Sequence, residues 1–381
     1  MPSNAELFDR QNHGSRISTA YLSELARIAT GDPAIAVSWS DCEPVHGGSG
    51  GAIGGTALYR FTLALDDGCY NTLILKVLYQ RPDETEQSPY YWKREFEICR
   101  AGMLGDLPDG SFDLPRIYLV EDHGDRCWIW MEDLEDRKGD WSLEDFADTA
   151  ERLGRFNGVW LSRTTLPHAQ WLSRSWHSAI VPALTDTFER LDQLLDNPLA
   201  QITLPLDARE EIVAIWRDRE TFRRALADLP QTFCHFDAFR RNVLYCKNEV
   251  HLIDWALAGI GGIGEDLVSL VAVSLYYEGY TQAYAVELDN IVFANYVKGL
   301  REAGWRGDER LARIGYTCGM TLRGLAGVKQ DINLLANRSN HEQLKRNHHS
   351  GSLEDIARFF AEIRRFRLLK MAREARSLLA G

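Results

Sequence analysis

The spacing of apolar residues changes once along this 381-residue chain, and that change limits the folds open to it. Up to about residue 136 the pattern alternates as strands do, and beyond it apolar residues recur every three or four positions. Strands are expected at 34–44, at Thr56–Leu65 with Leu58, Tyr59, Phe61 and Leu63, at 71–79, at 116–121 and at 127–132. Helices over 15–29 and 91–102 accompany them. Ser142-Leu143-Glu144-Asp145 then reads as a capping box that opens a helix bearing Phe146, Ala150, Leu153, Phe156 and Trp160 on one face. Further helices are expected near 176–195, 208–227, 265–277, 283–303, 308–336 and 352–379. Only the stretch 233–253 interrupts them, as two short strands about Lys247-Asn248. The expectation is an α+β chain in two lobes, a small antiparallel sheet lobe over 1–134 and a mostly helical lobe over 135–381.

The helical lobe's one strand pair carries the chemistry. Cys234-His235-Phe236-Asp237-Ala238-Phe239-Arg240-Arg241-Asn242 is followed by Leu252-Ile253-Asp254-Trp255. An Asp, an Asn five residues later and a second Asp after an apolar run suit phosphoryl transfer. The first carboxylate can receive a hydroxyl proton, while the amide oxygen and second carboxylate can hold Mg²⁺ against phosphates. Lys76 lies inside the apolar strand Leu73-Ile74-Leu75-Lys76-Val77-Leu78, where a lysine is costly unless paired or facing a ligand.

These motifs and the lobe order resemble the aminoglycoside phosphotransferase/choline kinase family of small-molecule kinases with a protein-kinase-like fold. The likeness spans roughly residues 40–370. It implies Asp237 as the catalytic residue and Asn242 and Asp254 as metal ligands. His235 becomes a scaffold for the catalytic loop, and Asp266 in Gly264-Glu265-Asp266-Leu267 a buried support of its backbone. Lys76 takes the place of the lysine that holds the α- and β-phosphates. Glu95 and Glu97 compete as its partner, and Glu95 fits the family pattern better. The glycine cluster Gly47–Gly55, with Gly50 and Gly51 central, suits a turn over phosphates. In Trp128-Ile129-Trp130-Met131-Glu132-Asp133-Leu134, the carbonyl of Glu132 and amide of Leu134 would read adenine between the lobes. ATP is the implied nucleotide, with GTP left open, and Mg²⁺ the implied metal. The family often has His-Pro-Gly before the Asn, whereas this chain has Phe239-Arg240-Arg241, so the two arginines stay unassigned between contact with phosphate or neighbouring acids and an exposed loop.

Several other function classes fit less well. Gly259-Ile260-Gly261-Gly262-Ile263-Gly264 spells the dinucleotide fingerprint G-x-G-x-x-G, but no acid-ended strand follows about 20 residues on. An NAD-dependent oxidoreductase is therefore a poor second, and those glycines are expected to turn the chain after Asp254. A catalytically silent nucleotide-binding module is the other alternative. A formal charge of −12 disfavours nucleic acid and suits a cationic acceptor such as an aminoglycoside or another hydroxylated amine. A sugar or choline-like alcohol stays open, with Glu265, Tyr276, Tyr277 and Glu278 as candidate contacts. Seven cysteines without CxxC spacing argue against a disulfide framework or zinc site. The polar start and lack of a bilayer-length apolar run suggest a cytoplasmic chain without a membrane or protein partner. The basic stretch 358–376, broken by acids, is expected to be a solvated helix face.

Overall fold

The computed structural model describes residues 17–45, 56–105, 107–137, 139–163, 165–247, 249–277 and 281–381. Five antiparallel strands form the first lobe: β1 (Val37–Pro44), β2 (Thr56–Leu65), β3 (Tyr70–Tyr79), β4 (Ile117–Asp122) and β5 (Arg126–Glu132), in the order β1-β2-β3-β5-β4. Alternation sets the inward face, since Tyr59, Phe61, Leu63 and Leu65 of β2 are all buried. Helix α1 (Thr19–Thr30) covers that face with Leu22, Leu25 and Ala26. Ser18 caps it by accepting from the Tyr21 amide at 3.1 Å, and Gly31 ends it in the left-handed region. Helix α2 (Arg94–Arg100) follows β3, with Phe96 and Ile98 buried.

The second lobe is helical around α3 (Leu143–Ser162), which the expected Ser142/Asp145 capping box opens. The other long helices are α4 (Leu206–Arg217), α5 (Arg219–Asp228), α6 (Leu267–Tyr277), α7 (Gln282–Glu302), α8 (Glu309–Ala336), α9 (Leu353–Arg364) and α10 (Met371–Ala380). Helices α3 and α7 touch backbone to backbone. A Cβ added at Gly154 would lie 2.1 Å from the Tyr296 carbonyl, and one at Gly299 2.0 Å from that of Glu151. The α+β bilobal architecture is as expected.

Several elements differ from their sequence pattern. Residues 176–195 form a run of short helical segments and not one helix, and the 208–227 helix breaks at Asp218. The last helix is interrupted by a π-helical turn, Arg365–Lys370, whose wider winding shifts the side chains beyond it around the axis. The basic residues there do not form a bare cationic face. Arg365 meets Asp207 at 3.0 Å, Arg376 meets Asp218 at 2.6 Å and Lys370 meets Asp289 at 3.0 Å.

The largest difference is at Gly259–Gly262, which is a strand and not a turn. With β6 (Ser173–Arg174), β7 (Gln231–Cys234), β8 (Val243–Cys246) and β9 (Glu249–Leu252) ahead of it, it becomes β10, central in the sheet β6-β10-β7. Its glycines admit neighbouring backbone, as a Cβ on Gly259 would lie 2.2 Å from the Ser173 carbonyl. Gly264 follows at φ +92°, where a Cβ would lie 2.0 Å from the Ala312 carbonyl. Gly264→Ala combines that overlap with left-handed strain and should cost more than about 2 kcal/mol in urea unfolding. Unchanged stability would mean that α8 can move away freely.

Candidate active site

The stretch from Cys234 to Asn242 is held in place by hydrogen bonds within the protein. Beyond β7 the chain leaves extended geometry at Phe236, with φ +64°. The buried carboxylate of Asp266 accepts from the amides of His235 at 3.1 Å and Phe236 at 2.7 Å, fixing that turn. Asn157 of α3 donates to the same carboxylate at 3.0 Å and to the Phe233 carbonyl at 2.9 Å. Tyr296 of α7 then donates to Asn157 at 2.8 Å, so two helices support the loop. Burial pushes the Asp266 carboxyl up to about 6 despite these donors.

His235 spans the loop as a neutral imidazole. Its Nδ1 accepts from the Asp237 amide at 3.1 Å, which leaves Nε2–H to donate to the Ile253 carbonyl at 3.0 Å. Burial holds its pKa down to about 4. One ring therefore ties the Asp237 backbone to the residue before Asp254.

Asp237 and Asn242 are joined directly. The Asn242 amide nitrogen donates to the Asp237 carbonyl at 2.9 Å and its carboxylate at 3.1 Å, which turns Asn242 Oδ1 away from the loop. The Asp237 side chain is 23% exposed, and burial pushes its carboxyl up to about 7 against the opposing charge of Arg323. Asp254 occupies left-handed backbone, φ +65°, and its side chain is 42% exposed towards the cleft.

Lys76 of β3 reaches across the lobes. Its Nζ lies 2.9 Å from Asp254 Oδ1 and also pairs with Glu95 of α2. Burial pulls the ammonium down, but Asp254 and Glu95 more than offset it and hold its pKa above the ordinary range. Burial likewise pushes Asp254 up, and the charge of Lys76 reverses this to leave it below the usual carboxylate range. Glu97, two residues on, turns away to Lys93 and Arg100. Adjacent alternate positions on a helix do not share a face.

Lys76, Glu95, Asp237, Asn242 and Asp254 border one interlobe cleft of about 1100 Å³. Glu132 and Leu134 line it too, and the Leu134 amide donates to no protein group among the described residues. Arg60 grips Asp133 between them with two bonds, of 2.7 and 3.1 Å. Gly50 and Gly51 lie outside the described residues. Among the described residues no cluster of three or more His, Cys, Asp or Glu could hold a metal. Asn242 Oδ1 and the Asp254 carboxylate are two hard oxygen donors, a set that suits Mg²⁺ when phosphate oxygens complete its shell.

Arg240 donates to Asp136 at 2.7 Å and to the Arg137 carbonyl at 3.0 Å, which makes it a brace within the loop. Arg241 is exposed on the cleft wall, 4.4 Å from the Tyr277 ring. Glu265 does not reach the cleft. It is fully buried, taking the Gly262 amide at 2.7 Å and His177 Nδ1 at 3.0 Å. Tyr276 is buried and stacked on Phe360 at 5.2 Å, and Glu278 lies outside the described residues.

Two arginines near the cleft have roles that the sequence does not assign. Arg94 is fully buried and donates to the carbonyls of Ala256, Pro89, Ser88 and Trp171 at 2.7–3.0 Å, locking α2 to the turn after Asp254. Arg323 lies 3.8 Å from Asp237 Oδ1. Its one available signal was isolation, as the sole charge between Tyr316 and Val328.

Amicoumacin kinase hAmiN, in complex with AMP-PNP, Ca²⁺ and Ami, is 16% identical at a TM-score of 0.50, over 81% of this chain and 85% of its own. Choline kinase from Cryptosporidium parvum Iowa II is 12% identical at a TM-score of 0.48, over 90% and 91%. A choline/ethanolamine kinase family protein from Mesorhizobium loti is 14% identical at 0.48, over 94% and 98%. A search of curated protein sequences gave no match. The sequence model described as phosphotransferase enzyme family matches residues 101–303, just over half the chain. That stretch runs from the end of α2 through the Asp237 loop and Asp254 to the end of α7, and the chain belongs to the phosphotransferase enzyme family.

Proposed function

We infer that this chain transfers the γ-phosphoryl group of ATP to a hydroxyl of a small molecule, with Mg²⁺ bound at Asn242 and Asp254. The observation that carries the reading is the convergence of Asp237, Asn242, Asp254 and the Lys76–Glu95 pair on one cleft. Residues 1–134 form the nucleotide lobe in this reading, and residues 135–381 supply the catalytic loop and acceptor side.

Lys76 supplies a fixed positive charge for the phosphates, held in place by Glu95. The Glu132 carbonyl and Leu134 amide meet the adenine edge in this reading. Bound Mg²⁺ contributes charge neutralisation at the phosphate oxygens. Asp237 accepts a hydrogen bond from the acceptor hydroxyl and aims its oxygen at Pγ. A bond forms between that oxygen and Pγ while the bond from Pγ to the bridging oxygen of ATP breaks. The hydroxyl proton passes to Asp237 and then to solvent, and ADP leaves. No covalent enzyme intermediate is needed, so positioning and electrostatics account for catalysis.

The test is mass spectrometry of amino alcohols, sugars, nucleosides, hydroxy acids and aminoglycosides incubated with the protein and Mg-ATP. A product gaining one phosphoryl group, lost with Asp237→Ala, is expected. If ATP binds in a Mg²⁺-dependent way but no compound is phosphorylated and no ADP forms, the catalytic reading falls.

A further inference from the structure

Among the described residues three cations border the interlobe cleft, Arg60, Lys76 and Arg241, and one of them has no acid to neutralise it. Arg60 is bound to Asp133 at 2.7 Å, and Lys76 to Asp254 at 2.9 Å as well as to Glu95. Arg241 makes no ion pair and no side-chain hydrogen bond among the described residues, and its guanidinium lies 4.4 Å from the Tyr277 ring. Asp237, four residues earlier on the same wall, does not take it. That carboxylate accepts from Asn242 at 3.1 Å and faces Arg323 at 3.8 Å. The two loop arginines therefore differ in kind: Arg240 braces the loop through Asp136, and Arg241 stands exposed in the cleft.

The backbone fixes where that cation stands. The Phe239 carbonyl accepts from the Asn242 amide at 2.8 Å and the Val243 amide at 3.0 Å, a tight turn with Arg240 and Arg241 at its corner. Consecutive Cα atoms are about 3.8 Å apart, so the Arg241 side chain leaves the chain beside Asn242, whose amide touches the Asp237 carboxylate. A phosphoryl group in transfer must meet both the hydroxyl at Asp237 and the metal at Asn242 and Asp254. It therefore passes this corner whatever the acceptor is. The charges of the cleft also call for a cation there. Three carboxylates, Glu95, Asp237 and Asp254, against one ammonium, Lys76, leave two formal negative charges, which a single Mg²⁺ only cancels. The charge of the phosphates is then unmatched unless Arg241 contributes.

We propose that Arg241 is a catalytic residue whose guanidinium leaves Tyr277 and binds the γ-phosphoryl group during transfer, an arginine finger supplied by the catalytic loop itself. This rests on the phosphotransferase reading above and adds to it the residue that matches the charge of the moving group. A guanidinium suits the task, because its planar fork can hold two phosphoryl oxygens at once and stays charged throughout. Its contact with an aromatic ring at an exposed site is weaker than charge-assisted bonds to phosphate, so the ring releases it when the nucleotide is bound. Arg241 gives up no proton. The hydroxyl proton still passes to Asp237, and the transfer stays balanced as above.

The test needs no acceptor. Calorimetry compares Mg-ADP with Mg-ADP plus aluminium fluoride, whose planar fluoroaluminate imitates the phosphoryl group in transfer, for the wild type, Arg241→Gln and Arg241→Lys. The wild type should bind the fluoride complex at least about tenfold more tightly than Mg-ADP alone. Arg241→Gln should lose most of that gain and keep Mg-ADP affinity within about twofold, and Arg241→Lys should regain part of it. Because Arg241 is exposed, Arg241→Gln should melt within a few degrees of the wild type, so a folding loss cannot pass as a binding loss. In turnover, kcat should fall about tenfold or more for every acceptor the wild type phosphorylates, with KM for ATP changed less than about twofold. An unchanged gain in Arg241→Gln, or no gain in the wild type, overturns the role of Arg241, while Mg-ADP binding leaves the kinase reading standing. A rise in KM confined to anionic acceptors overturns it as well and makes Arg241 an acceptor contact. If the wild type binds no Mg-nucleotide, the kinase reading falls and this role falls with it.

Discussion

Asp237→Asn should reduce phosphotransfer by roughly 10²–10⁴-fold, the range for loss of a positioned proton acceptor, while making the protein more stable at alkaline pH. Both effects come from the same burial. The folded protein raises the Asp237 carboxyl to about 7, mainly by desolvation, with Arg323 only partly opposing. A carboxyl raised on folding binds its proton more tightly in the native state than in the unfolded chain. Its unfavourable contribution is therefore absent below the unfolded pKa near 4, grows as pH rises, and is complete above about 7. Three pH units correspond to about 4 kcal/mol, an upper bound because the side chain keeps some contact with water. Asparagine keeps the shape and can still accept from Asn242, but it has no charge to desolvate. Melting temperatures of the variant and wild type should coincide near pH 4 and diverge, with the variant higher, by pH 8. A variant with full turnover would sink the mechanism. One that melts lower at pH 8 would show that the carboxylate is satisfied by its surroundings and not strained by them.

What could be read from the sequence follows the range of the interactions involved. Strand β2 matches its expected limits because Tyr59, Phe61, Leu63 and Leu65 alternate against one local core. Lys76 announced itself by being charged where every neighbour is apolar. Glu95 and Glu97 could not be separated by type, and only the direction in which α2 lies decides between them. Strand β10 was hidden because glycines that look like a turn are required by backbone packed from Ser173, far away in the chain. The break at 365–370 was hidden because Phe366, Leu368 and Leu369 continue a pattern that fits an unbroken helix. Arg323 was hidden most completely. Nothing within α8 says that its side chain ends beside the Asp237 loop, more than 80 residues earlier, because that proximity belongs to the packing of the whole lobe.

Lys76→Met tests the other half of the cleft, and here stability and activity should part in the opposite sense. The side chains of Lys76 and Glu95 are only 8% and 6% exposed, so deleting the ammonium leaves Glu95 buried without its cation. Breaking such a pair from one side costs about 3–5 kcal/mol, because the surviving charge keeps its desolvation penalty and loses its compensation. Adding Glu95→Leu removes the stranded charge. The double variant Lys76→Met/Glu95→Leu should recover most of the lost stability in denaturant titration, since a hydrophobic pair of similar volume often matches a buried ion pair. Activity should not recover, because Asp254 has also lost the lysine that lies 2.9 Å from it and the phosphates have lost their fixed charge. We expect transfer to be lower by at least about 10²-fold in both variants, with ATP affinity weakened in each. Recovery of activity together with stability in the double variant would assign Lys76 a purely architectural role, and phosphate binding would then have to rest on other groups of the cleft.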